Sequence, residues 1–346
     1  MSLIPTVYRS TDAGAPVLNG QAGSLLAVLH AVLVTGYGSG TTAKPPAGWT
    51  RPFSSSGVHV YRNNPLTGSG AYLRVRDDAS ADMLNLPTLA QAIGFSSMSD
   101  IDTGLDRTPP VALHAQGSLI AKAPAVSAAA RRWIVIATEI GFYLFTHWCG
   151  HVSNPNALGA YYYGDLLSAV PGDAYPFVMF GAGVLARYGG TTIASDDACS
   201  LFFSPSLGKV IPNSSDRVNG VLGGYVMRSY TAANGGPGRV ATTGIDSFGA
   251  RVGSYGSGSY RVGPDPAHGG YNFISALVRE DSFAVRGQLP GVIAPLHARP
   301  YVDGATVNFI DGIGLGEWLA INYNVAALAS PDADGQVLFR MDAPWK

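Results

Sequence analysis

The sequence predicts a mainly β protein with one or more helices, an α+β fold of antiparallel, sandwich-like sheets joined by long glycine-rich loops. Three observations carry that prediction. Only three glutamates (Glu139, Glu280, Glu317) and four lysines (Lys44, Lys122, Lys209, Lys346) occur in 346 residues. Those side chains normally fill helix surfaces, because they lose little rotamer freedom there. Glycine (44), proline (23) and tyrosine (17) are plentiful instead, which suits turns and strands. Finally, apolar residues alternate or run together over short stretches, and a helical period is clear in one segment only.

That segment comes early. In "NGQAGSLLAVLHAVLVTGYG", Leu25, Leu29, Val32 and Leu33 share one face, and Leu26 and Val28 widen it. Asn19 is placed to cap a helix near residues 20–35, and Gly36 to stop it. His30 lies inside it, as a packed or half-exposed side chain. Beyond this helix the period falls to two. "VHVYR" (58–62) and "AYLRVR" (71–76) read as a hairpin around the turn-rich "NNPLTGSG". "SADMLNLPTLAQAIG" has the makings of a short helix before Gly94, and residues 103–130 read as a loop or extended crossing.

"RRWIVIAT" and "GFYLFTHW" form the strongest strand pair, connected tightly through Glu139, Ile140 and Gly141. "PFVMFGAGVL" reads as another buried strand. Residues 232–272 are rich in Gly and Ser and predict loops and short strands. "LVRED", "GVIAPLH", "EWLAINYN" and "GQVLFRMD" read as short strands. The expected division is an N-terminal α+β domain over 1–110, a central β domain over 111–230 and a β-rich region with the Gly-rich loop over 231–346.

Composition narrows function. A net charge of −1 with 13% charged residues gives no field for a polyanion, so no nucleic-acid partner is expected. No run of 18 apolar residues occurs, so no membrane insertion is expected. The opening "MSLIPTVYRSTD" lacks the pattern of a secretory signal. Cys149 and Cys199 are too few for a disulfide scaffold; a single bridge stays open beside the reading of two small hydrophobes.

The candidate chemistry is sparse. His147, Cys149 and His151 alternate, so a strand would put all three on one face, as three donors for a metal or as the polar end of a buried strand. A fourth ligand would have to come from afar, from His114 or His297. The reading adopted is the strand end, with no metal held. Gly181, Gly183 and Ala186 follow a strand in a G-x-G-x-x-A pattern, but Gly189 and Gly190 would break the helix that a nucleotide needs. Asp77–Asp78 and Asp196–Asp197 are adjacent pairs, which a strand would point to opposite faces. Tyr161, Tyr162 and Tyr163 are either a binding or interface surface or core packing. None of the common hydrolase, zinc-protease or P-loop motifs occurs. The chain is therefore expected to be no enzyme and to use no cofactor.

Several blocks carry a resemblance. "VYRSTDAGAPVLNGQAGSLLAVLHAVLVTGYG", followed by "AGWTRPF…VYRN" and "AYLRVRDD", resembles the opening of a family of tailed-bacteriophage virion structural proteins. "RRWIVIATEIGFYLF", "YYYGDLLSAVPGDAYPFVMFG" and "RGQLPGVIAPLHARPYVDG…LAINYN" resemble later blocks of that family in the same order. His30 departs from the acidic residue expected at its place. The resemblance implies a virion component of the tail or baseplate, assembled in the host bacterial cytoplasm. It would act through contacts with other virion proteins and with copies of itself in a symmetric assembly. Two alternatives are a tail-tip or fibre module that binds host glycan or surface protein, and a head-associated capsid decoration protein. It implies no reaction and no catalytic residues.

Overall fold

The structure is a computed structural model that describes residues 3–80, 88–111, 117–147, 159–181, 186–188, 191–193, 223–230, 235–243, 273–280, 284–295, 301–310, 313–324 and 334–345. Antiparallel sheet dominates it, and two sheets carry the architecture. The smaller has five strands in the order Thr50–Ser55, Val58–Arg62, Tyr72–Arg76, Leu89–Phe95 and Ser118–Ala121. The larger has thirteen. Its path runs Thr6–Arg9, Trp133–Ala137, Gly141–Thr146, Gly159–Asp165, Phe177–Gly181, Gly223–Val226, Gly238–Thr243, Phe273–Glu280, Val285–Pro295, Asp334–Arg340, Gly314–Asn324 and Thr306–Ile310. A two-residue strand, Leu167–Ser168, pairs beside that path with Val285–Pro295.

The expected hairpin of residues 58–76 and the strand pair turned at 139–141 both form, in register Val58↔Arg76 and Phe142↔Ala137. Two other expectations need correcting. As to the three-way division, the large sheet draws strands from Thr6–Arg9 to Asp334–Arg340, on either side of both expected boundaries. The small sheet likewise takes Ser118–Ala121 from beyond residue 110. The segment before Gly94 holds the fully buried strand Leu89–Phe95, not a helix up to that glycine; residues 81–87 lie outside the described ones. Burial on both faces hides the period-two signal that would have marked it. The C-terminal strands are long, with eleven residues in each of Val285–Pro295 and Gly314–Asn324.

The helix starts later than its sequence pattern suggests. Its α-helical part is Ser24–His30, continued by a π-helical turn Ala31–Thr35 that ends at Gly36 (φ 73°). Asn19 does not cap it: its side chain accepts from Gln21 N–H in the preceding turn (2.9 Å). The first turn is held from outside instead. Asp77 Oδ2 accepts Leu25 N–H (2.9 Å) and its carbonyl accepts Gly23 N–H (2.7 Å). A tertiary carboxylate thus does the work of a local cap.

Alternation along the strands builds two core layers. One face of the large sheet supplies Val135, Ala137, Phe142, Leu144, Tyr161, Tyr163, Phe177 and Met179. They pack against the helix and against Tyr61, Leu73, Val75, Ala90, Ala92 and Leu119 of the small sheet. The opposite face supplies Ile136, Tyr143, Phe145, Tyr162, Val178 and Phe180. They pack against the C-terminal part of the same sheet through Val278, Leu289, Val292, Ile321, Val337, Phe339 and Trp345. Tyr143 fastens this second layer: its hydroxyl donates to Pro290 O (2.8 Å) and its ring meets Phe339 at 4.7 Å. The large sheet therefore folds back over itself and is covered on both faces near its start, which explains why "WIVIA" and "GFYLFT" are apolar throughout.

Candidate functional site

A buried set of ionisable groups, among the described residues, lies where the two halves of the large sheet meet, around Arg286. This residue is the second of the Val285–Pro295 strand, the next strand after Phe273–Glu280. Gly287 beside it has φ 156°, and a Cβ there would stand 2.2 Å from Leu167 O, so only glycine lets the short Leu167–Ser168 strand pair here. The Arg286 side chain is 1% exposed. Its Nη1 donates to Ser168 Oγ (2.9 Å) and pairs with the Asp173 carboxylate, and its Nη2 donates to Tyr175 O (3.1 Å). Its Nε lies 3.1 Å from Glu280 Oε1 but makes no aligned hydrogen bond, so that contact is one of charge. Five donors in a fixed fork let one arginine serve two strands and a loop.

The surrounding carboxylates are saturated with donors. Asp173 accepts from Ser168 Oγ (2.6 Å), Tyr175 N–H (2.9 Å) and Tyr230 O–H (2.8 Å) as well as from Arg286. Glu280 accepts from Ser229 Oγ (2.6 Å) and Tyr230 N–H (3.2 Å). Asp165, at the end of the Gly159–Asp165 strand, accepts from Ser69 N–H (2.6 Å), Ser69 Oγ (2.6 Å) and Asn63 Nδ2 (3.1 Å). It thereby ties the 63–70 loop of the small sheet's hairpin to the large sheet. The hydroxyl of Tyr162 donates to its carbonyl (2.6 Å).

Two neighbouring acids are driven apart in proton affinity. Burial raises Asp165 to about 6, partly offset by the Ser69 and Asn63 donors, with the charge of Asp173 adding to the rise. Asp173 is also pushed up by burial, but the donors from Arg286, Ser168, Tyr175 and Tyr230 outweigh that and hold it below the ordinary carboxylate range. Such a split is what acid–base chemistry uses. Here, however, Asp165 is 4% exposed and its oxygens face protein donors. The geometry is that of a clamp.

A second buried ion pair sits under the helix. Lys122 Nζ bonds Asp77 Oδ1 (2.5 Å), Gln21 O (2.6 Å) and Ser24 Oγ (3.2 Å), with both charged side chains 0% exposed. Burial lowers Lys122 and raises Asp77, and their mutual attraction opposes both shifts. Asp78 next door keeps a 31% exposed side chain near Arg76; both aspartates lie just past the end of the Tyr72–Arg76 strand, so strand alternation does not apply to them.

The tyrosine triplet needs correcting as a binding surface. Tyr161, Tyr162 and Tyr163 are each 0% exposed. Tyr161 and Tyr163 face the first core layer and Tyr162 the second, and the Tyr161 hydroxyl accepts Ala121 N–H (3.0 Å). Strand alternation splits three neighbours between two cores, so they cannot form one platform. Of the metal candidates, His147 directly follows the Gly141–Thr146 strand, half-buried, and its backbone N–H donates to Arg132 O (3.0 Å). Cys149, His151, His114 and His297 lie outside the described residues, as do Cys199 and Asp196–Asp197. Among the described residues no group of three or more His, Cys, Asp or Glu is placed to hold a metal ion, and no helix is long and apolar enough to cross a membrane. Of the G-x-G-x-x-A stretch, Gly183 lies outside the described residues, and Ala186 opens a strand, Ala186–Tyr188, that pairs antiparallel with Thr191–Ile193 where a nucleotide would need a helix.

Sequence reading missed Asp165, Asp173, Glu280 and Arg286, which lie up to 121 positions apart. One signal was present. Arg286 and Lys122 are single cations set in apolar strand sequence, and a buried cation demands a carboxylate.

Fold and site together define a β-rich α+β protein whose large antiparallel sheet is locked by internal ion networks. No family model matches the chain, and no curated protein matches it significantly.

Proposed function

We propose that this protein is a structural component of a tailed-phage virion, placed in the tail or baseplate and acting through contacts between subunits. The ordered sequence blocks that resemble phage virion proteins give the context. One structural observation carries the role. The buried acids Asp77 and Asp165, both raised by burial, are bonded by protein donors, and so is Asp173 beside Arg286. These bonds fasten the helix and the two sheets to one another. Among the described residues the large sheet also ends in the short strand Thr306–Ile310, which pairs there with Gly314–Asn324 alone. That geometry suits a protein held among neighbours in an assembly.

Mass spectrometry of purified particles of the encoding phage tests the role. The expected result is this chain at a fixed copy number that matches the symmetry of a ring or vertex. Particles that lack the chain overturn the proposal.

A further inference from the structure

The pair under the helix has the geometry for more than an ion pair. The Lys122 and Asp77 side chains are both 0% exposed, and Nζ lies 2.5 Å from Oδ1. Backbone bonds pin each partner. Asp77 N–H donates to Gly57 O (2.8 Å), its carbonyl accepts Gly23 N–H (2.7 Å), and Lys122 N–H donates to Thr88 O (2.9 Å). Val75, Ala121 and Ala123, close to them along the chain, are buried too, as is Leu25, whose N–H bonds Asp77 Oδ2 (2.9 Å). The two reacting groups therefore meet in a dry place and in one fixed arrangement.

The chemistry of such a meeting is amide formation. In water an amine and a carboxylic acid ionise against each other, and neither ion reacts. Burial opposes that ionisation: it lowers Lys122 and raises Asp77, with their mutual attraction acting the other way. Groups held in contact react as though their concentration were on the order of 10⁵–10⁸ M. The other contacts of Nζ favour a neutral amine. Its two N–H bonds match Gln21 O (2.6 Å) and Ser24 Oγ (3.2 Å), whose own hydrogen goes to Asn19 O or Gln21 O, so the lone pair is left for the Asp77 side. Arg74 and Arg286 are buried as well, but a guanidinium keeps its proton and is no nucleophile.

We propose that Lys122 and Asp77 condense after folding into an intramolecular amide bond. The Nζ lone pair attacks the Asp77 carboxyl carbon, and the displaced electron pair goes to Oδ2, where the Leu25 N–H stabilises it. One Nζ hydrogen passes to the protonated Oδ1, the C–Oδ1 bond breaks as the carbonyl re-forms, and one water leaves. The hydrogen remaining on the amide nitrogen donates to Gln21 O. No oxidant, metal or second molecule enters the balance. The bond ties residues 45 positions apart, at the ends of the strands Tyr72–Arg76 and Ser118–Ala121, which flank Leu89–Phe95 in the small sheet. It closes that sheet as a disulfide would, by restricting the unfolded chain, and thiol reductants leave it intact. The inference rests on this pair alone and stands whether or not the chain is a virion component.

Mass spectrometry of the purified, denatured full chain tests it. The expected intact mass is one water below that of the sequence. Trypsin is expected to release a branched peptide in which residues 77–107 are joined to residues 108–131, uncut at Lys122. Lys122→Arg keeps the charge and cannot condense, so it is expected to show the full mass and no branched peptide. An intact mass without the deficit, with residues 77–107, 108–122 and 123–131 recovered as separate peptides, overturns the proposal. So does a water loss confined to residues 77–107, the mark of a cyclic imide at an aspartate, or a deficit that persists in Lys122→Arg. The wild-type spectrum decides even where the variant does not fold.

Discussion

The two buried ion sets of this protein solve one problem in different ways. Under the helix, Lys122 meets a single acid, Asp77, and both are fully buried. Burial dominates there and pulls each partner toward its neutral form. At the sheet junction, Arg286 meets two acids, and Asp173 is held ionised below its ordinary range. A lysine is a point charge that desolvation can neutralise, whereas a guanidinium cannot lose its proton and spreads its donors over several acceptors. The first pair therefore anchors one helix end, and the second joins three separate stretches of a sheet.

Breaking the helix pair gives the largest effect. Lys122→Met strands the Asp77 charge and is expected to cost about 3–5 kcal/mol in a urea titration. Lys122→Met with Asp77→Leu recovers most of that loss, because desolvation disappears with the second charge. A double variant no more stable than the single would show that the helix depends on Asp77 as a backbone acceptor more than on the pair. Arg286→Lys keeps the charge but loses the fork, with an expected cost of about 2–3 kcal/mol by the same titration. A smaller loss than that would place the junction's strength in its apolar layer.

Asp165 sharpens the comparison through pH. Its folded value is raised from 3.8 to about 6, so between those values the native state binds more protons than the unfolded chain. Stability from this group therefore rises as pH falls through that window, by at most about 1.4 kcal/mol per pH unit. Asp165→Asn is expected to remove this component, read as the difference between the two proteins' melts at pH 4.5 and pH 7. Tyr161→Phe leaves the buried Ala121 N–H without its acceptor and is expected to cost about 1 kcal/mol. Leu66→Ser, at a hairpin tip 91% exposed, should stay within about 0.5 kcal/mol in the same assay.

Legibility followed the range of the interaction. The 58–76 hairpin and the 133–146 strand pair were readable because turn residues and neighbouring strands lie within a few positions. Leu89–Phe95 was not, since burial on both faces erased its alternation. The tyrosine triplet misled for a related reason: adjacent aromatics look like a patch in sequence, and a strand sends them to opposite layers. The acids around Arg286 carried no local mark at all, although the isolated cation did.

By itself the sequence determined that this chain is β-rich with one early helix, because strand period, turn residues and the shortage of Glu and Lys act over short distances. Tertiary structure alone decided which cations meet which acids, and which of the described tyrosines are buried. Those outcomes depend on how one large sheet folds across itself, and that closure joins residues whose separation in the chain leaves no local trace.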